Sequence, residues 1–506
     1  MKKIVFLMFI VMFIAPQISL AADDRLVFNK EVFIESADTD KVLKIGLVDC
    51  IAYALKNNSE IKIKGIEPRL KEDAVRIALS DFEPIFSANV SVEKSKDYPV
   101  SSLAGSDTRT KQLDLGMKGK LITGTEYDLD ILNKKYESDS VYQSPNPYYR
   151  SDPGLTITQP LFRDFGVFVN SADIKIARNN LQGSREDFKN EVMDIVSKTK
   201  ISYYNYMFYL EQYIISESSL RRAEDLYNIN KERYAKGLIS SIDLLETETA
   251  VSHRNKTLIS AESSVKRAED ELKMITNLVD DPALWNAGIE LIDKPECEAR
   301  KINLRESLEN AFKYRPDYEE NIIDLKNRDI KIKVAKNALL PEIDLIGSFG
   351  LNGLGKDYED CIDKIDPEYK DWSIGLKLSI PWGGAERAGY DQKKLEKAQA
   401  LIALKRLEQN IILEVRDKAR EVDIQYRQVI ASTLSNEKEK KHYEAQKERY
   451  SAGQVSTHDM LDYQDRLAQS ELDYIKALVD YNIAVIDLEK SEGVTLLKEN
   501  IELVNL

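Results

Sequence analysis

Three groups of residues have types and spacings that could do chemistry, and two of them fail when their neighbours are considered. Gly350-Leu-Asn-Gly-Leu-Gly355-Lys356-Asp357 imitates a phosphate-cradling loop. Such a loop needs a Ser or Thr after its lysine to reach magnesium, followed by a helix N-terminus. Asp357 stands in that place, and the acid-rich run Tyr358-Glu-Asp-Cys-Ile-Asp-Lys-Ile-Asp366 follows it, so these residues read as a loop between strands. The run lacks the spacing of an EF-hand. Cys50, Cys297 and Cys361 form no CxxC pair, and three histidines (His253, His442, His458) are too few for a structural zinc site. A single Cys297–Cys361 bridge stays open. With no G-x-S-x-G and no H-E-x-x-H, neither an enzyme nor a cofactor is expected, and no metal site.

The third group occurs twice. Glu232-Arg-Tyr-Ala-Lys-Gly237-Leu-Ile-Ser240-Ser-Ile-Asp243-Leu-Leu245 recurs 216 residues later as Glu448-Arg-Tyr-Ser-Ala-Gly453-Gln-Val-Ser456-Thr-His-Asp459-Met-Leu461, giving the pattern E-R-Y-x-x-G-x-x-S-x-x-D-x-L. Gly237 and Gly453 suit the left-handed residue that ends a helix. Ser240 and Ser456 follow as N-caps, with Asp243 and Asp459 in the first turn of a returning helix, where a carboxylate suits the macrodipole. A helical hairpin tip accounts for all of these residues, so a further role for the aspartates must add to that.

Long helices must carry such tips. Ile45–Ala54 aligns with Ile302–Ala311 at an offset of 257, which also carries Pro84 onto Pro341. The chain is thus an internal duplication, and each half reads as helix, strands, very long helix, tight turn, long helix. Proline and clustered turn residues vanish between about Arg163 and Lys236, which as one helix would reach about 110 Å. Tyr206, Tyr213, Leu220, Tyr227 and Tyr234 recur every seven residues before the first turn, and Leu244, Val251, Leu258, Val265 and Leu272 after it. Val415, Val422, Val429, Tyr443 and Tyr450, with Asn436 interrupting, then Met460, Leu467, Tyr474, Tyr481 and Leu488, repeat the spacing in the second half, which predicts coiled-coil seams.

The segments between helices alternate in polarity. Ile85–Glu93, Gln112–Leu121, Tyr127–Leu132, Gly154–Pro160 and Ser373–Pro381 place apolar residues near every second position. That is the signature of a membrane-spanning β-strand, and also of a soluble sheet with one wet face. At the N-terminus, Met1-Lys2-Lys3, an apolar core from Ile4 to Ile14 and Ser19-Leu20-Ala21 predict a cleaved secretory signal. The 506 residues carry 72 Lys and Arg against 86 Asp and Glu, a net charge of −14. Loss of Lys2 and Lys3 makes it −16. This balance argues against a nucleic-acid partner, and a mean hydropathy of −0.40 argues against a bundle of membrane-spanning helices.

The signal peptide, the tandem halves, the strand-to-helix junctions Thr158-Gln-Pro-Leu161 and Ser379-Ile-Pro-Trp382, the long hairpins and the paired tips together resemble the TolC-like outer-membrane efflux family. The resemblance covers about Ile45 to Gly493. It implies an α+β membrane protein: a homotrimer whose duplicated α-helical hairpins form a periplasmic helical barrel and whose transmembrane β-strands form one shared β-barrel in outer-membrane lipid. It also implies a passive exit duct for efflux or type I secretion, docked on a periplasmic adaptor protein and, through it, on an inner-membrane RND or ABC transporter. By position the family's periplasmic aperture falls on Asp459, Asp462, Asp243 and Tyr450, and its hairpin-tip and adaptor contacts on Gly237, Gly453, Ser240 and Ser456. Two residues past each turn glycine, where a basic gate partner is expected, stand Ile239 and Val455, leaving Arg233, Arg449 or His458 as substitutes. The family's two strands per half make twelve in a trimer, yet Pro84–Pro160 holds four candidates, and the extra hairpin near Gln112–Leu132 could enlarge the barrel or project from it.

On this reading the chain divides into a signal peptide (1–21), an N-terminal extension (22–44), a leading helix (45–84), strands with the extra hairpin (85–161), a long helical hairpin (162–278) and a linker (279–301). The second repeat follows with a leading helix (302–341), strands (342–381) and a long hairpin (382–492), then a tail (493–506). The rival reading is an exported structural coiled-coil protein of the periplasm or cell surface, with soluble sheets.

Overall fold

The computed structural model describes residues 42–98, 105–280, 282–295 and 297–503; the expected signal peptide and most of the N-terminal extension lie outside them. The first half runs β1 (Val42–Ile45), α1 (Leu47–Asn57), α2 (Ser59–Ser80), β2 (Ile85–Lys96), β3 (Asp107–Lys120), β4 (Glu126–Ser138), β5 (Tyr148–Pro160), α3 (Val167–Asn170), α4 (Ala172–Ala235) and α5 (Ser241–Ile275). After α6 (Pro282–Trp285) and β6 (Gly288–Leu291), the second half runs α7 (Leu304–Tyr314), α8 (Pro316–Asn337), β7 (Glu342–Leu351), β8 (Gly353–Gly355), α9 (Tyr358–Asp363), β9 (Lys370–Ser379), α10 (Ala385–Ser451), α11 (Thr457–Ser491) and α12 (Thr495–Lys498).

The duplication is visible in the element ends. Shifting α1 and α2 by 257 residues lands on both ends of α7 and α8, and shifting α5 by 216 lands on both ends of α11. Local chemistry fixes the breaks. The Asn58 side chain accepts the N–H groups of Glu60 and Ile61 at 2.8 and 3.2 Å to start α2, whereas its counterpart α8 opens with Pro316 in the first turn. The long helices α4 and α10 hold 64 and 67 residues, about 96 to 100 Å each. Among the described residues no helix is long and apolar enough to cross a membrane.

Helix α4 is central, with α5 on one side, α11 on another, and α2 and α8 against its first half. The seams differ between halves. In the second, Val415, Val422, Val429, Tyr443 and Tyr450 are buried, as are Met460, Leu467, Tyr481 and Leu488. In α4 Tyr206 is buried as expected, but from there toward the tip the buried line is Ser216, Ser219, Ala223, Leu226 and Asn230, while Tyr213, Leu220 and Tyr227 are half-buried and Tyr234 is exposed. In α5 Leu272 is buried as expected, but the line leading to it is Thr247, Arg254, Ala261 and Ala268. Small and polar side chains let helices approach closely there, so a register chosen by apolarity alone is displaced to the neighbouring positions.

One antiparallel sheet runs in the order β2-β3-β4-β5-β7-β9, with β8 pairing to β5. The register places Phe86, Val90, Leu113, Leu115, Met117, Leu129, Ile131, Leu155, Ile157, Leu345, Phe349, Trp372, Ile374 and Leu376 on one face. The opposite face carries Ser87, Asn89, Gln112, Asp114, Asp128, Asp130, Thr156, Ser348 and Ser373. Near the middle of α4, and apart from this sheet, the parallel pair β1–β6 and helix α1 close a core of Ile45, Cys50, Tyr203, Tyr206 and Leu272 with α4 and α5.

Two expectations change. Gly350–Gly355 lies in β7 and β8, and a helix does follow it: the Asp357 carboxylate accepts the Asp360 N–H at 2.9 Å and caps α9, where charge alone had suggested a plain loop. Cys297 and Cys361 are not bridged; Cys361 is buried with its thiol donating to the Gly353 carbonyl at 3.2 Å.

Candidate functional site at the hairpin tips

Both tips turn on a left-handed glycine, Gly237 at φ +71° and Gly453 at φ +75°, and a Cβ at either would meet nothing within 4 Å. The dihedral, and not crowding, therefore selects glycine. Ser240 and Ser456 accept the N–H groups of Asp243 and Asp459 at 3.2 and 3.1 Å, and each donates its hydroxyl to that aspartate at 2.7 Å. Asp462 pairs with Arg466 at 2.8 Å, one turn along α11. Each of the three aspartates thus has its recorded partner within its own helix.

Tyr450 is placed differently. It is buried where α10 meets α4, and its hydroxyl donates to the Asn230 side-chain oxygen and lies 3.3 Å from the Thr457 hydroxyl. Asn230 in turn donates to Thr457 at 3.2 Å. The Arg233 guanidinium covers the Tyr450 ring at 4.7 Å and donates to the carbonyls of Tyr450 and Ser451 at 3.0 and 3.3 Å. Of the three basic residues offered as substitutes for a gate partner, Arg233 is the one engaged with Tyr450. Arg449 contacts Gln446 on its own helix, and His458 lines an open groove of about 610 Å³ with Ile242, Leu245, His253, Asp462 and Asp465.

Farther along the hairpins a second set of contacts joins α5 to α11. Buried Arg254 donates to the Ser219 carbonyl at 3.2 Å, to the Gln464 side chain, and to Asp465 at 2.9 Å. Gln464, 2% exposed, donates to the Arg222 carbonyl at 3.1 Å, while Arg222 pairs with Glu471 at 3.3 Å. Asn230, Thr457, Arg254 and Gln464 were not singled out from sequence. Their signal was present as polar residues on buried heptad lines: Arg254 continues Thr247 and precedes Ala261, and Gln464 follows Thr457 by seven. Together these contacts make a polar seam between the two hairpins, beside the apolar cluster that Tyr450 shares with Leu226, Tyr443, Met460 and Leu467.

Comparison with known proteins places this geometry. Residues 53–278 and 308–494 match the model of the outer membrane efflux protein family. The chain is 24% identical over 415 residues to nodulation protein T of Rhizobium leguminosarum bv. trifolii, covering 78% of this chain and 77% of that one. Its fold is similar to the CmeC outer membrane channel of Campylobacter jejuni (TM-score 0.65, 18% identity, 91% and 87% of the two chains). It is similar also to the open state of the MtrE outer membrane channel of Neisseria gonorrhoeae (TM-score 0.65, 16% identity, 92% and 96%). With both halves matched, one sheet split into an apolar and a polar face, and hairpins closed by polar tips, the chain belongs to the outer membrane efflux protein family, an exit duct of the outer membrane.

Proposed function

We propose that three copies of this chain assemble into one duct whose helical hairpins reach across the periplasm, dock on an adaptor protein, and receive substrate from an inner-membrane transporter of the RND or ABC class. The energy comes from that transporter, and the duct is passive. The observation that carries this reading is the continuity of a sheet with one apolar face, suited to lipid, and hairpins whose long arm reaches about 100 Å and leaves Ile402, Leu413, Ile424, Ile430 and Leu434 of α10 exposed for a neighbouring copy to cover. The tips serve as the closed periplasmic aperture. Tyr450, held by Arg233, Asn230 and Thr457, is its latch, and the carboxylates of exposed Asp459 and Asp462 and half-buried Asp243, repeated around a threefold axis, form a cation-selective ring. Gly237, Ser240, Gly453 and Ser456 shape the adaptor contact, beside the exposed Leu238, Ile242 and Leu245.

Reconstitution in planar bilayers tests this. The wild type gives single channels blocked by multivalent cations, and Asp459→Ala with Asp462→Ala loses most of that block. Undiminished block sinks the carboxylate ring. Recovery of the protein in the soluble periplasmic fraction, and not as an oligomer in outer-membrane extracts, would favour the structural coiled-coil reading instead.

A further inference from the structure

We propose that the barrel built by this chain has eighteen strands, six from each copy, closed by antiparallel pairing of β2 in one copy with β9 of the next. The proposal rests on the trimeric outer-membrane reading above and goes beyond it, since two strands per half would make twelve.

The hairpin β3–β4 is an integral part of the sheet. Every residue of β2 from Ile85 to Lys96 is paired with β3, β3 is paired with β4 from Thr108 to Lys120, and β4 with β5 from Glu126 to Tyr136. A projecting flap would leave β2 beside β5; here two full strands separate them. The hairpin also carries its share of the apolar face, through Leu113, Leu115, Met117, Leu129 and Ile131. That face ends on the side away from the helices in a charged cluster with cations in excess, Lys94, Arg109, Lys111 and Lys135 around Glu137, all on the apolar side by register. An apolar belt bounded by cations is what a strand needs where hydrocarbon gives way to phosphate headgroups.

The sheet's edges are open and matched. β2 has 12 residues and β9 has 10, and neither contains proline. Their apolar side chains are more exposed than those of the inner strands: Val90 73% and Ile374 72%, against Leu113 40% and Leu129 40%. Among the described residues each lacks a neighbour on one side. An open edge in lipid strands backbone donors and acceptors at several kcal/mol apiece, so these edges must find partners. Six alternating strands leave β2 and β9 running in opposite directions, so a second copy docks edge to edge in antiparallel register and three copies close an even-numbered barrel. Because diameter grows roughly linearly with strand number, the barrel is about one and a half times as wide as a twelve-strand one. The outer mouth then ceases to be the size filter, which passes to the hairpin tips.

The test uses the full chain in outer membranes. Ser91→Cys of β2 is combined in turn with Ser373→Cys or Lys377→Cys of β9, all on the polar face. Oxidation should give a ladder of up to three chains that neither single variant nor the wild type gives. A ladder appearing instead between β9 and Asp130→Cys of β4 would mean that β2 and β3 lie outside the barrel and would overturn the proposal. Removal of residues 97–138 should lower the size of neutral polymer admitted from the outer side in planar bilayers, and an unchanged cut-off would also overturn it. Native mass measurement of the uncrosslinked oligomer is read separately: a number other than three overturns the trimer, while the ladder still reports the β2–β9 seam.

Discussion

A phenol buried among an amide, an alcohol and a guanidinium is held by geometry that its deletion cannot mimic. Tyr450→Phe leaves the Asn230 oxygen and the Thr457 hydroxyl facing a hydrocarbon ring, which costs about 1–3 kcal/mol because the orphaned groups stay desolvated. The loss falls on the closed arrangement alone if opening hydrates those groups, so open-channel events should become about tenfold more frequent in single-channel recordings, since about 1.4 kcal/mol is a factor of ten. Unaltered opening would show that the latch lies elsewhere. The turn glycines behave differently. Gly453→Ala forces a Cβ into a left-handed conformation at about 1–2 kcal/mol with no clash, so it should lower the melting temperature modestly, and Gly453→Asn by less. The glycine, serine and aspartate of each tip were legible in sequence because caps and turns are local chemistry. The Tyr450 contacts were only half legible, because its partners Asn230 and Thr457 come from other helices and nothing local marks a polar residue as buried.

At the scale of elements, the joint between halves is an ionic knot. Lys200 of α4, 7% exposed, reaches Glu489 of α11 at 3.2 Å and Glu499 beyond α12 at 2.6 Å, and Arg300 reaches Glu489 from the linker at 2.7 Å. Burial pulls the Lys200 ammonium down, but the two carboxylates prevail and hold it above its usual range. A raised lysine contributes stability at all pH below its unfolded value, and loses it only as pH rises through the folded one. Lys200→Met should therefore cost about 3 kcal/mol at neutral pH, because buried Glu489 and half-buried Glu499 lose their common partner, and the deficit should be read as a lower melting temperature in detergent. Nearby Asp194 has the opposite sign. Burial raises it, yet hydrogen bonds from Lys198 and Lys490 keep it below the ordinary carboxylate range, so its contribution is present above about pH 4 and lost on acidification. Asp194→Asn should flatten the acid limb of the stability curve without moving the alkaline one. The hairpins and most strands could be read from sequence because periods of seven and two are carried by many residues. The seam of α4 could not, since Ser216, Ser219 and Asn230 are chosen for close approach and not for apolarity. Nor could β1–β6, four residues each and paired across the whole first half.

For the whole molecule, the acid surplus of −14 matters according to where it is placed along the path of a permeating ion. The polar face of the sheet carries Asp114, Asp128, Asp130 and Asp152 on adjacent strands, partly offset by Arg150, which donates to Asp152 at 2.7 Å, and by Lys118 and Lys134. In a closed barrel that face lines the lumen and favours cations there. Two resistances in series are set by the narrower, however, and the tips are the narrower if the barrel holds eighteen strands. Asp128→Asn with Asp130→Asn should thus leave the reversal potential under a salt gradient unchanged in the wild-type background. In a background opened at the latch by Tyr450→Phe with Arg254→Ala, the same pair should move the reversal potential toward zero, because the lumen then carries a larger share of the voltage drop. A shift of equal size in both backgrounds would place the selectivity in the barrel itself and would take the aperture away from the tips.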